Sequence, residues 1–153
     1  MLKTKEMEEE IRKNIEEIVN EFSGFDDWMD KYNLLIEMGK SVPLIEPQYK
    51  TKSNLISGCQ SRVWLQAKYD DGKVYFAADS DAVITKGIVS LLIRAFNGMT
   101  PDEMLNADLD FIDEIGLKDH LSPTRSNGLT SMIKQMKLYA MAFKVKEQAG
   151  EKE

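Results

Sequence analysis

An α+β fold, a small antiparallel sheet packed against several helices, is what this sequence predicts. Three observations carry the prediction. Apolar residues recur at helical spacing toward both ends of the chain. Between them, two runs alternate apolar and polar residues across a turn signal, Asp70-Asp71-Gly72-Lys73. A strongly apolar helical stretch follows that hairpin directly. At 153 residues, one domain spanning 1–153 is the natural count. A chain of this size buries roughly 70% of its unfolded surface and needs neither disulfide nor metal to fold.

The elements follow in order. Lys5 to Phe22 reads as an amphipathic helix, because Ile11, Ile15, Ile18 and Phe22 recur at steps of four, three and four. Glu6 and Glu8 to Glu10 suit its N-terminal end as a solvated first turn. Ser23-Gly24 ends it. Asp26 and Asp27 can start a second helix with Phe25, Met29, Tyr32, Leu35 and Ile36 on one face, closed by Gly39. Ser41 to Ser53, with Pro43 and Pro47, reads as an extended connection. A strand then runs to about Tyr69, with Val63, Leu65, Ala67 and Tyr69 on one face and Arg62, Trp64, Gln66 and Lys68 on the other. The second strand is Val74 to Ala78, and Asp79-Ser80-Asp81 offers caps for the next helix. That helix, Ala82 to Phe96, is apolar enough to be central to the core, and Asn97-Gly98 terminates it. Thr100-Pro101-Asp102-Glu103 is a capping box opening a short helix. Asp110 to Ile115 makes another, stopped by Gly116. Leu117 to Asn127 reads as a loop with the sole histidine, His120, and Arg125. Leu129, Met132, Ile133, Met136, Ala140 and Phe143 line a long last helix, with Met132, Met136 and Met141 as core filler. Gly150 to Glu153 should fray.

Composition excludes several function classes. A net charge of −6 argues against a general nucleic-acid binder, which needs a basic stripe. One cysteine cannot close an intrachain disulfide, which suits a reducing cytosol. Met1 to Glu10 has no apolar signal core. The longest apolar run, Ile88 to Ile93, is interrupted by Ser90 and is too short to span a bilayer. The expectation is a soluble cytoplasmic protein with neither nucleic acid nor membrane as partner.

The chemistry narrows to one thiol. A structural zinc or an iron–sulfur cluster usually takes four protein ligands, and this chain has a single Cys and a single His. No metal site and no cofactor are expected. The glycines match neither a P-loop nor a dinucleotide fingerprint. A nucleophile pair of Cys59 and His120, oriented by Asp119, is arithmetically possible, but no local signature supports it and His120 reads more readily as a loop or core histidine. Cys59 follows Gly58, which can turn tightly, and precedes a strand. It is either a small buried hydrophobe or a thiol presented at the edge of a sheet. Arg62, close in sequence, and Arg125, from a later loop, are cations able to lower its pKa.

The run Gly58-Cys59-Gln60-Ser61-Arg62-Val63-Trp64 resembles the Gly-Cys-Gln-Ser-x-Val-Trp motif of the SufE family, sulfur acceptors of iron–sulfur cluster assembly. Further blocks resemble the family in the same order. They are Trp28 with Tyr32 to Lys40, Ala78 to Ala82 with Ile84 and Lys86-Gly87, Gly98 to Pro101, and His120 to Leu129. Together they cover roughly residues 25–142. The charged N-terminal helix and the tail after Ala142 lie outside the clear match.

The resemblance implies an α+β fold similar to the IscU/NifU scaffold proteins, with the cysteine at a loop tip. It implies that Cys59 takes persulfide sulfur from a pyridoxal-phosphate-dependent, SufS-like cysteine desulfurase. The chain would stimulate that desulfurase and pass sulfur to a SufBCD-like scaffold, as a carrier rather than an enzyme. Gly58, Gln60, Ser61, Arg62, Asp81 and Arg125 are then candidates for orienting the loop or meeting the partner. For Arg125 the alternative is a loop-fixing ion pair, and for Asp81 a helix cap. Three other classes stay open: an iron–sulfur scaffold, a hydrolase using Cys59 and His120, and an interaction module with an inert buried cysteine. Ile56, Val63, Trp64 and Leu65 would shield the resting thiol.

Overall fold

Helical spacing of apolar residues builds most of the molecule. The computed structural model describes residues 2–58 and 61–151. Helix α1 (Leu2–Ser23) buries Ile18 and Phe22 completely, with Ile11 and Ile15 packed at the edge of the core. It starts before Lys5, so the acidic residues lie beyond its first turn. Helix α2 (Trp28–Lys40) is capped by Asp27, whose carboxylate accepts from the Met29 N–H. Its inward face keeps Tyr32 and Leu35 of the expected stripe but not Phe25 and Met29. Leu35, Met38 and Gly39 are buried and Trp28 and Tyr32 pack beside them, whereas Met29 is 64% exposed and Phe25 is also exposed. The stripe runs through Trp28, Tyr32, Leu35 and Met38, at steps of three and four that omit Met29.

Gly39 does not close α2; it lies inside it. Its role is the approach of helix α3 (Val83–Phe96). A Cβ on Gly39 would stand 3.0 Å from the Gly87 nitrogen, and one on Gly87 would stand 2.1 Å from the Leu35 carbonyl oxygen. Two glycines thus let the backbones of α2 and α3 nearly touch. The buried Ser90 hydroxyl is satisfied across the same contact, donating to the Met38 carbonyl at 2.7 Å. Helix α3 supplies the centre of the core, including Ile88, Val89, Leu91, Leu92, Ile93 and Phe96; Val83, at its solvent end, is 63% exposed.

Strands β1 (Val63–Asp70) and β2 (Lys73–Ser80) form an antiparallel hairpin in which Val63 opposes Ser80 and Asp70 opposes Lys73. Asp71 (φ +50°) and Gly72 (φ +79°) both take positive φ, which matches the strands' twist in a two-residue turn. Val63 and Leu65 are buried as expected; Tyr69, further along the same face, is exposed and stacks on Phe143. The connection between α2 and β1 is more structured than an extended linker. It contains short 3-10 turns at Pro47–Tyr49 and Lys52–Asn54. It also extends the sheet on both sides, through bridges from Leu44 to Ala78 and from Leu55 to Trp64.

Helix α4 (Pro101–Leu105) carries the expected capping box, with Thr100 and Glu103 each accepting from the other's backbone N–H. Helix α5 (Asp110–Glu114) ends at Gly116, whose φ of +72° then opens helix α6 (Leu117–His120). The expected loop of 117–127 is therefore mostly helical, because α7 (Pro123–Glu151) already begins at a proline suited to a first turn. Met132 and Met136 fill the core, while Met141 is exposed. Helix α7 runs through Glu151; the remaining positions expected to fray lie outside the described residues. Among the described residues no helix is long and apolar enough to cross a membrane.

Candidate functional site

The segment from Ser57 to Arg62 is a loop whose two feet are tied together. The Ile56 N–H donates to the Val63 carbonyl at 2.8 Å, continuing the pairing of Leu55 with Trp64. Cys59 and Gln60, which follow Gly58 in the chain, lie outside the described residues. Their flanks are defined. Gly58 has φ +90°, and a Cβ there would stand 2.6 Å from the Ser131 hydroxyl oxygen on α7. The backbone torsion favours glycine, and the close hydroxyl can accept a Cβ only by turning away.

On the other side, Arg62 is held through its backbone at both ends of the residue. Its N–H donates to the Asp81 carboxylate at 3.1 Å. Its carbonyl accepts from the Ser80 hydroxyl at 2.8 Å and from the Asp81 N–H at 3.3 Å. This accounts for Asp81. It does not cap α3, whose N-cap is Ala82 with no side-chain cap bond. The helix-cap expectation for Asp79-Ser80-Asp81 is corrected because β2 runs on to Ser80, so Ser80 and Asp81 bond the Arg62 backbone and Asp79 pairs with lysines rather than capping the helix. Arg62's own side chain is exposed, and among the described residues it makes no ion pair. Ser61 is half-buried beside it.

Several residues that sequence reasoning missed tie together the elements flanking the loop. Tyr139 on α7 donates its hydroxyl to the Leu65 carbonyl at 3.0 Å, with Asn54 Oδ1 at 3.3 Å as a second acceptor. Burial pushes the Tyr139 phenol above its ordinary pKa, so it stays a donor. Asn54 in turn donates to the Tyr49 carbonyl at 2.7 Å. On the outer face of the sheet Asp79 pairs with Lys50 and, at 3.4 Å, with Lys86. Burial works to raise the Asp79 pKa. The Lys50 hydrogen bond, the Ser80 N–H and the two ammonium charges outweigh it and hold the carboxyl below its usual value. The Lys50 ammonium also lies 5.3 Å from the Trp64 ring centroid. Only the polar character of Asn54 and Tyr139 hinted at these roles, and the partners are 74 to 85 residues apart in sequence.

The later candidates lie on α6 and α7. Arg125 is exposed on the first turn of α7, where its N–H donates to the Ser122 hydroxyl, and among the described residues its guanidinium makes no ion pair. The loop-fixing ion pair expected for it is therefore not found there. His120 stacks on Trp28 with ring centroids 3.9 Å apart, and with its proton on Nδ1 donates to the Gly116 carbonyl at 3.0 Å. Tyr32 bonds the His120 carbonyl. The imidazole is thus engaged in fastening α6 to α2.

Comparison with known proteins adds a family likeness. Residues 16–140 match the SufE family model, described as an Fe-S metabolism associated domain. An uncharacterized SufE-like protein of Synechocystis sp. is 38% identical over 138 residues, 90% of this chain and 87% of that one. An uncharacterized SufE-like protein of Rhizobium meliloti is 36% identical over 129 residues, 81% of this chain and 92% of its own. SufE-like protein 1, chloroplastic/mitochondrial, of Arabidopsis thaliana is 38% identical over 90% of this chain, which spans only 38% of that longer protein. The solution structure of a hypothetical protein from Thermus thermophilus shares the fold, with a TM-score of 0.70 and 20% identity, over 84% of this chain and 94% of its own.

Proposed function

Because the chain belongs to the SufE family of iron–sulfur metabolism, we propose that it is a sulfur carrier loaded on Cys59 by a cysteine desulfurase. The Cys59 thiolate attacks the outer sulfur of the donor's persulfide. The bond between the donor's two sulfurs breaks, the donor cysteine leaves as a thiolate, and Cys59 becomes the persulfide. The Cys59 proton goes to solvent or to the leaving thiolate, and no external oxidant or reductant is consumed. A second exchange of the same kind passes the sulfur to an iron–sulfur scaffold. This chemistry requires a nucleophile, an approach path and a docking surface, with no metal or general-base triad on the carrier.

The observation that supports this reading best is the anchoring of both flanks of the loop that contains the chain's only thiol. Gly58 is fitted against Ser131, and Arg62 is fixed to Ser80 and Asp81 by its backbone alone. Binding Arg62 by its backbone leaves the guanidinium free to meet a partner. It also places a cation three residues from Cys59. At a reference pKa of about 8.5 only a few per cent of a thiol is thiolate at pH 7, so a nearby positive charge raises the reactive fraction. Gly58, Gln60, Ser61 and Arg62, with Arg125 on the first turn of α7 joining them when the partner reaches it, form the docking face. A relay contact of this kind buries less than about 1,200 Å². Asp81 keeps the loop in register for it. Cytosolic location goes with the thiol chemistry, which needs a reducing compartment.

The test is a desulfurase assay. Wild-type chain added to a SufS-like desulfurase and free cysteine should raise the turnover rate, and Cys59→Ser should not. Equal stimulation by both would leave sulfur removal through Cys59 without support.

A further inference from the structure

An open groove of about 670 Å³ separates α1 from α4 and α5, on elements that hold none of the loop's anchors. Its floor is apolar, formed by Ile11, Ile15, Val19, Met99 and Phe111. Its rim is acidic: Glu16, Asp108, Asp110 and Glu114, with the half-buried Glu103 among them, line it against one cation among the described residues, Arg12. The Glu103 Oε1 is used in the capping box, while its Oε2 is buried and has no hydrogen-bond partner among the described residues.

The distribution of charge decides what class of ligand fits. A divalent cation needs convergent oxygen ligands. Among the described residues no group of three or more His, Cys, Asp or Glu side chains stands close enough to hold a metal ion. The carboxylates are instead spread along the trough. The α1 residues that line it run from Ile11 to Asn20, about 14 Å at 1.5 Å per residue. That length accommodates about two and a half turns of helix. Several separated negative charges over an apolar floor match several separated cations flanking apolar side chains.

We propose that this groove is a second docking site, and that its occupant is a basic amphipathic segment of a partner protein, Leu-like side chains down and Lys or Arg side chains to the rim. None of the groove's lining residues belongs to the Cys59 loop or to the side chains that hold it. The site therefore allows two partners to be held at once, one at the thiol and one here.

The test is titration of the isotope-labelled full chain, followed by amide chemical shifts, with three synthetic peptides. The first places Lys and Leu at amphipathic helical spacing, the second replaces every Leu by Ser, and the third replaces every Lys by Glu. The first should bind with shifts centred on Ile15, Val19 and Phe111. The second should bind about tenfold more weakly or worse, having lost its apolar face, and the third not at all. Asp110→Lys with Glu114→Lys, both exposed positions, should weaken the first peptide by a similar factor while leaving the spectrum folded. Equal binding of the first two peptides, shifts scattered over other acidic surface, or unchanged binding by the doubly substituted chain would each overturn the proposal.

Discussion

Substituting Gly58 by alanine tests whether the loop is held as described. Two effects act on the folded state. The backbone there has φ +90°, a region that costs an L-residue about 1–3 kcal/mol. The new Cβ would also stand 2.6 Å from the Ser131 hydroxyl oxygen. That oxygen ends a short side chain that can turn to another staggered rotamer, so the contact adds little once Ser131 moves. Alanine also narrows the unfolded ensemble, which returns about 0.4–1 kcal/mol. The difference is a net loss of about 1–2 kcal/mol, and for a chain of this size each kcal/mol lowers Tm by about 2–4 °C. Thermal unfolding followed by circular dichroism should therefore show Gly58→Ala melting about 2–8 °C below wild type. Combining it with Ser131→Ala should recover only a small part. Gly72→Ala is the control: φ is +79° with no atom within 4 Å of the added Cβ, so it carries the torsional cost without the contact. A Gly58→Ala chain as stable as wild type would refute the anchored loop. Full recovery in the double variant would refute the torsional account of it.

Three further predictions concern the rest of the frame. Gly87→Ala should lose more stability than Gly58→Ala in urea unfolding, since its Cβ would meet the Leu35 backbone at 2.1 and 2.6 Å and only separation of α2 from α3 relieves that. Asp79 has a folded pKa held below its unfolded value of about 3.9, so its contribution is present above that pH and disappears as pH falls through the folded value. Below about pH 4 wild type should accordingly lose stability more steeply than Asp79→Asn, measured by urea midpoints across pH; parallel curves would remove Asp79 from the account. Arg62→Glu should raise the concentration of carrier needed for half-maximal desulfurase stimulation while shifting stability by no more than about 0.5 kcal/mol, and Glu9→Lys should do little. The reverse pattern would move the docking face to α1.

Much of the fold was legible because its signals are local. The capping box at Thr100, the positive-φ turn at Asp71-Gly72 and the apolar steps of α3 and α7 each lie within a few residues. The errors came where distant contacts decide. Met29 and Phe25 fit a helical stripe with Tyr32 and Leu35, yet only the latter two face inward, because the Gly39–Gly87 crossing rotates the buried stripe toward Trp28 and Met38. A glycine inside a helix reads as a stop signal when its neighbour 48 positions on is not visible. Asp81 reads as a cap by chain position, whereas the hairpin register brings it to Arg62. The motif around Cys59 pointed to the thiol, but not to Tyr139, which ties Asn54 and Leu65 together from a helix remote in sequence, nor to Ser131, which lies close to Gly58. The groove between α1 and α5 had no sequence signature, since its acidic residues are scattered from Glu16 to Glu114 in an already acidic chain.

The central claim, that Cys59 is where sulfur is held, is tested most directly by intact mass. The chain is incubated with a desulfurase and free cysteine, separated without reductant, and weighed. Wild type should gain the mass of one sulfur atom, released by dithiothreitol and localised by peptide mapping to the fragment containing Cys59. Cys59→Ser should gain none. Sulfur retained on Cys59→Ser, or none acquired by wild type while the desulfurase turns over, would contradict the account.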